Sequence, residues 1–196
     1  MNSDRLTTFT DGVIAIIITI MVLELPIPHG PGLSALTPIW PLLGAYALSF
    51  VNIGIFWNNH HHVLTLVEKI DGRVLWANLL LLFWLSLFPF VIRWIGEAHL
   101  SAEPVAAYGV VLTMASVAYV LLEKAVLAVD GQSAALAEAL RRGLKELASF
   151  VLSVAGIALS FVWVWAAIGC YVAVAAIWFV PDRRVEEKVA SQDPQS

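Results

Sequence analysis

The chain has 196 residues, 60% of them hydrophobic and only 13% charged, with a net charge of −4 and a mean hydropathy of +0.82. Soluble domains run near ~45–50% apolar and ~25% charged, and six helices of ~20 residues each would absorb nearly this whole apolar inventory. Soluble enzymes, disordered chains and disulfide scaffolds are excluded; the lone Cys170 has no partner for a bridge or a thiolate metal site. No long basic tract points to nucleic acid.

Six apolar segments follow in order, at about 6–25, 39–59, 74–92, 105–122, 147–162 and 164–180. Asp4 and Arg5 precede the first, and no small-residue cleavage site follows it, so it reads as a span rather than a cleaved leader. It stops where Pro26, Pro28, Gly30, Pro31 and Gly32 cannot continue a helix. Trp40 stands at an interface as the second segment begins, and Trp163 and Trp165 flank the short turn between the last two, a depth that indole favours. Before the fifth segment, Leu136, Leu140 and Leu144 alternate with Glu138, Arg141, Arg142 and Lys145, the pattern of an amphipathic surface helix over about 133–146. The polar tail 182–196 is expected to be disordered. Residues 1–181 therefore read as one six-helix membrane domain, all-α.

The basic residues orient it. Arg5, Lys69, Arg73, Lys124, Arg141, Arg142, Lys145, Arg183, Arg184 and Lys188 fall on one side of six crossings, and Arg93 alone on the other. Both termini are expected in the cytoplasm, in a bacterial plasma membrane, with the bilayer as the surrounding partner.

Polar residues inside spans are costly and hence informative. The middle of the six segments holds no Asp, Glu, Lys, Arg or His, which argues against proton-coupled pumps and intramembrane aspartyl proteases. No motif of hydrolytic, phosphate-binding or zinc chemistry is present, so no enzyme and no cofactor are expected. In the first segment Ile16, Thr19, Ile20 and Leu23 share one helical stripe. On spacing alone that stripe is a lipid-facing or core surface. Asp11 needs partners, and the ends of the second and third segments offer Trp57, Asn58, His60 and Asn78, although the same residues also fit a polar belt facing water. His60, His61 and His62 read equally as solvated side chains or as groups titrating near neutral pH.

The opening Arg5-x-x-x-Phe9-Thr10-Asp11 resembles the signature of the transmembrane protein 175 family of potassium channels, Arg-x-x-x-Phe-Ser-Asp, with Thr10 keeping the hydroxyl of the usual serine. Trp57 followed by His60, and Arg73, Asn78 and Pro89-Phe90 on the third segment, are supporting features. The resemblance implies a homotetrameric potassium-permeable channel without a carbonyl filter, whose first helices line a central pore. It implies a constriction of Ile16, Ile20 and Leu23 with Thr19 on the same face, Glu24 at the outer mouth, and Arg5, Phe9, Thr10 and Asp11 as structural ties. The permeant ion is potassium. A non-conducting scaffold or sensor is the alternative, and a secondary transporter the next.

Overall fold

The computed structural model describes residues 3–30, 32–65, 70–130 and 133–179, and these are helical with no strand among them. The helices are α1 (Ser3–Leu23), α2 (Trp40–Thr65), α3 (Gly72–Leu85), α4 (Phe88–Glu97), α5 (Ala102–Asp130), α6 (Ser133–Ser160) and α7 (Val164–Phe179), with a short 3-10 helix, Leu33–Ile39, leading into α2. Since α3 and α4 form one bent pass, the order is that of six helical passes. Asp4–Leu23, Leu33–Leu64, Gly72–Glu97 and Ala102–Val129 are each long and apolar enough to cross a bilayer, and Val164–Phe179 is a shorter apolar helix.

The boundaries differ from those read off hydropathy, for one recurring reason. The backbone ladder continues until a breaker stops it, whatever the solvent outside. Thus α5 runs on past residue 122 through Glu123 and Lys124 to Asp130, beside Gly131. The surface helix and the fifth segment are likewise one continuous helix, α6, because no proline interrupts 133–160 and its two glycines, Gly143 and Gly156, cost only ~1 kcal/mol each. The third pass breaks instead, because Pro89 has no N–H to offer the carbonyl of Leu85. Ser86 and Leu87 close the gap with bonds to Leu82 and Trp84. Asp71 caps α3, its carboxylate accepting from the amides of Arg73 and Val74 at 2.9 and 3.0 Å. The tail 182–196 lies outside the described residues.

Helix α5 is the axle of the bundle, packed against α3, α4 and α6 and touching α2 and α7. Its small and β-branched residues Val105, Ala115, Ala118 and Val126 are buried with Leu112 and Leu122. Tyr171 of α7 crosses to it, and its hydroxyl donates to the carbonyl of Val105 at 3.1 Å. The ring fits only because Gly109 and Gly156 lack side chains: a Cβ at Gly109 would overlap the Tyr171 hydroxyl, and one at Gly156 would overlap the ring edge. Tyr108 stacks at a tilt on Tyr171 and accepts hydrogen bonds from Ser49 and Asn52 of α2, at 3.3 and 3.2 Å.

Gly109→Ala should therefore lower the thermal midpoint of the detergent-solubilised chain, by the ~1–3 kcal/mol typical of overpacking. Gly54→Ala, where an added Cβ meets nothing within 4 Å, should leave it unchanged or raise it. Equal midpoints for the two variants would remove the keyed-ring account.

Candidate functional site

The pore-helix signature and the stripe that follows it both lie on α1, so the rotation of this helix decides what each residue can do. Leu6, Thr10, Ile14, Ile17 and Met21 are buried against the bundle. At ~100° per residue they fall within about 40° of Thr10, whereas Ile16, Thr19, Ile20 and Leu23 fall about 180–280° away. Those four are exposed on the single chain, Ile16 by 58% and Leu23 by 79%.

Two hydrogen-bond systems hold that rotation. Thr10, Asn78 and His60 are all fully buried. Asn78 Nδ2 donates to Thr10 Oγ1 at 2.9 Å, and Asn78 Oδ1 lies 2.8 Å from His60 Nε2. With Nδ2 donating to threonine, Oδ1 is the acceptor, so the proton of a neutral His60 ring sits on Nε2. Beside this chain, Trp57 Nε1 donates to Asp11 Oδ1 at 2.8 Å. A side chain from α1 thus meets one from α3 and one from α2, in a setting where an unpaired polar group is expensive.

Of the residues singled out from the sequence, Thr10, Asp11, Trp57, His60 and Asn78 are brought together. Arg5, Phe9 and Asn58 are exposed and stand apart from these bonds. The Trp57 ring stacks on His61 at 6.3 Å. Thr19 Oγ1 donates to its own backbone at Ile16, 2.8 Å away, and with that proton spent the oxygen can act only as an acceptor toward other groups. At the far end of α1, Glu24 lies 3.7 Å from Arg93 of α4, and Arg93 also pairs with Glu97 at 2.9 Å. The i,i+4 spacing of Arg93 and Glu97 made their pairing readable. Glu24 as a third member was not, since it comes from another helix. A further buried cluster joins Ser49, Asn52 and Tyr108, and its signal in the sequence is a serine and an asparagine inside a span. Among the described residues no three His, Cys, Asp or Glu side chains gather as a metal site.

Residues 5–89 match the family described as endosomal/lysosomal potassium channel TMEM175. A potassium channel of Chryseobacterium sp. (strain P1-3) is 49% identical over 189 residues, which cover 96% of this chain and 98% of that protein. One of Streptomyces collinus (strain DSM 40733 / Tue 365) is 35% identical over 126 residues, 60% of this chain and 61% of the other. The crystal structure of a lysosomal potassium-selective channel TMEM175 homolog from Chamaesiphon minutus superposes with a TM-score of 0.77 at 26% identity, covering 90% of this chain and 95% of that one.

The hydrogen bond between Thr10 and Asn78 is open to a double-mutant cycle read by thermal unfolding. Thr10→Val and Asn78→Ala should each destabilise, with a coupling of about 0.5–1.5 kcal/mol. Strict additivity would show that the bond contributes nothing. Asp11→Asn, which keeps an acceptor for Trp57, should cost less than Asp11→Ala.

Proposed function

The chain belongs to the transmembrane protein 175 family and is a potassium channel of that family; on that premise we propose that four copies surround a central pore lined by α1. The observation that carries this reading is the fixed rotation of α1. Its polar residues Thr10 and Asp11 are spent on bonds to α3 and α2, and its opposite face offers an exposed apolar stripe to whatever lies beyond.

Rings of Ile16, Ile20 and Leu23 about a four-fold axis form a hydrophobic constriction, with no thread of backbone carbonyls to replace the hydration shell of an ion. When such rings are close, a cation finds no substitute ligands and water withdraws, so the gate works by dewetting. Opening widens the rings until a hydrated ion passes. Thr19, its hydroxyl proton already given to Ile16, contributes the one ring of oxygen acceptors on this face and supplies the preference for potassium. Glu24 sits at the outer mouth, where the group Glu24, Arg93 and Glu97 carries a net −1 per copy and attracts cations within a Debye length of ~8–10 Å. Thr10 and Asp11, with Trp57, His60 and Asn78, hold the helix rather than meet the ion. Arg5, Phe9 and Asn58 complete the same end of the bundle, where half-exposed Phe9 offers apolar surface to a neighbouring copy. Both termini face the cytoplasm of a bacterial plasma membrane, because ten of the eleven Lys and Arg residues fall on that side.

Purified protein in liposomes should carry a potassium flux; no flux under any applied gradient would sink the channel reading. Ile16→Asn or Leu23→Asn should raise that flux severalfold by wetting the constriction, and unchanged flux in both would remove the pore assignment. Asp11→Ala should reduce the yield of tetramer on size-exclusion chromatography more than it alters the ion selectivity of the tetramer that forms. A full yield of tetramer with changed selectivity would reverse that division of roles.

A further inference from the structure

Helix α2 is tied to its neighbours at a few points and is otherwise loosely packed on the α5–α6–α7 unit. Between them runs a groove of about 380 Å³, walled by Phe56 and Asn59 of α2, Ser116 and Val120 of α5, Phe150 of α6 and Trp178 of α7. Its walls are mostly apolar, with Glu146 and exposed Lys124 among the residues that line it at the end of α5 beyond Leu121. The α5 side spans Leu112 to Lys124, about 18 Å at ~1.5 Å per residue. That is slightly more than the ~15 Å depth of one leaflet of a hydrocarbon core ~30 Å thick.

We propose that this groove holds one acyl chain of a phospholipid, with the phosphate at Lys124 and the chain running along α5 toward the membrane centre. The site has the parts such a ligand needs in the order it needs them: a cation at interface depth, then an apolar channel about one leaflet long. Away from the Lys124 end, most of the polar side chains along it are already bonded, Asn52 to Tyr108 and Tyr119 to Glu123, and Asn59 stands on the α2 wall. Ser116 donates to the carbonyl of Leu112, and Ser149 accepts from Trp178 Nε1 at 2.9 Å. The groove is also placed to matter, because α2 carries Trp57 and His60, which engage Asp11 directly and Thr10 through Asn78. A lipid wedged behind α2 braces the helix that sets the rotation of α1. The site itself rests on the membrane reading alone and stands whether or not α1 lines a pore.

The test reconstitutes the full chain in phosphatidylcholine vesicles containing a minor fraction of phosphatidylglycerol that carries a photoactivatable diazirine on its acyl chain. Labelled peptides are mapped by mass spectrometry, and a diacylglycerol probe with the same chain serves as the arm without phosphate. Labelling should concentrate on residues 112–120 and 147–150, with the phospholipid about fivefold more efficient than the diacylglycerol, as one lysine at a lipid surface warrants. Lys124→Gln, a surface change that leaves the fold intact, should abolish that difference. Ser116→Trp should remove groove labelling while sparing the exposed face around Trp76. Labels spread evenly over all exposed faces, a phosphate preference that survives Lys124→Gln, or crosslinks at 112–120 to a second copy instead of lipid would each overturn the proposal.

Discussion

The structure turns on a hydrogen bond between two neutral side chains. Asn78 gives its amide hydrogen to Thr10 and its carbonyl oxygen to His60, and so binds α1, α2 and α3 at one fully buried point. In water such a bond is worth little net, because each group would otherwise bond to solvent. Inside a bilayer the alternative to this pairing is an unpaired polar group, and the geometry is correspondingly strict. A slip of α1 by one residue would turn the helix by ~100° and carry Thr10 out of reach. The same slip would bury a different apolar stripe. The identity of the exposed face therefore follows from this bond, seconded by that of Trp57 to Asp11.

Apolar packing cannot supply that specificity here. Every helix is rich in Leu, Ile, Val and Ala, and lipid is as apolar as they are, so hydrophobicity does not select one rotation over another. What selects is shape and polarity at a few sites. Tyr171 needs the vacant space at Gly109 and Gly156 together with the carbonyl of Val105, which admits one register among α5, α6 and α7. Tyr108 with Ser49 and Asn52 does the same for α2 against α5. The result is that α3 and α6 pack along α5 and α7 along α6, while α2 is attached at fewer points. The groove behind α2 lies where the two styles of packing meet.

This division also explains how much of the structure is legible in the sequence. Composition declares the membrane class and the number of passes, because 60% apolar residues must be buried in something. The need of Asp11 for a partner, and the small set of polar residues able to provide one, was legible too, and Trp57 is among that set. Adjacent Asn58 is exposed whereas Asn59 faces the groove, and one step of ~100° around a helix is finer than sequence can resolve when neither end of the helix is fixed. Helix limits were misplaced because hydropathy reports the solvent and not the backbone. The cross-helix pairings of Tyr171 with Gly109 and of Glu24 with Arg93 join residues dozens of positions apart, with no local pattern to announce them.

The bend between α3 and α4 acquires meaning from the same contacts. Helix α1 is fastened near one end by Thr10 to Asn78 on α3, and at the other by Glu24 to Arg93 on α4. Pro89 stands between these two anchors and sets the angle of the bend. The inner anchor is buried and directional. The outer is an ion pair at 3.7 Å with Arg93 largely exposed, the kind of contact that contributes less and yields first. The half of α1 that carries Ile20 and Leu23 is thus held by this weaker pair together with the apolar burial of Ile17 and Met21. Between the anchors the Thr19 hydroxyl bonds to its own helix, so nothing polar on the stripe from Ile16 to Leu23 competes with the two anchors in setting the rotation of α1.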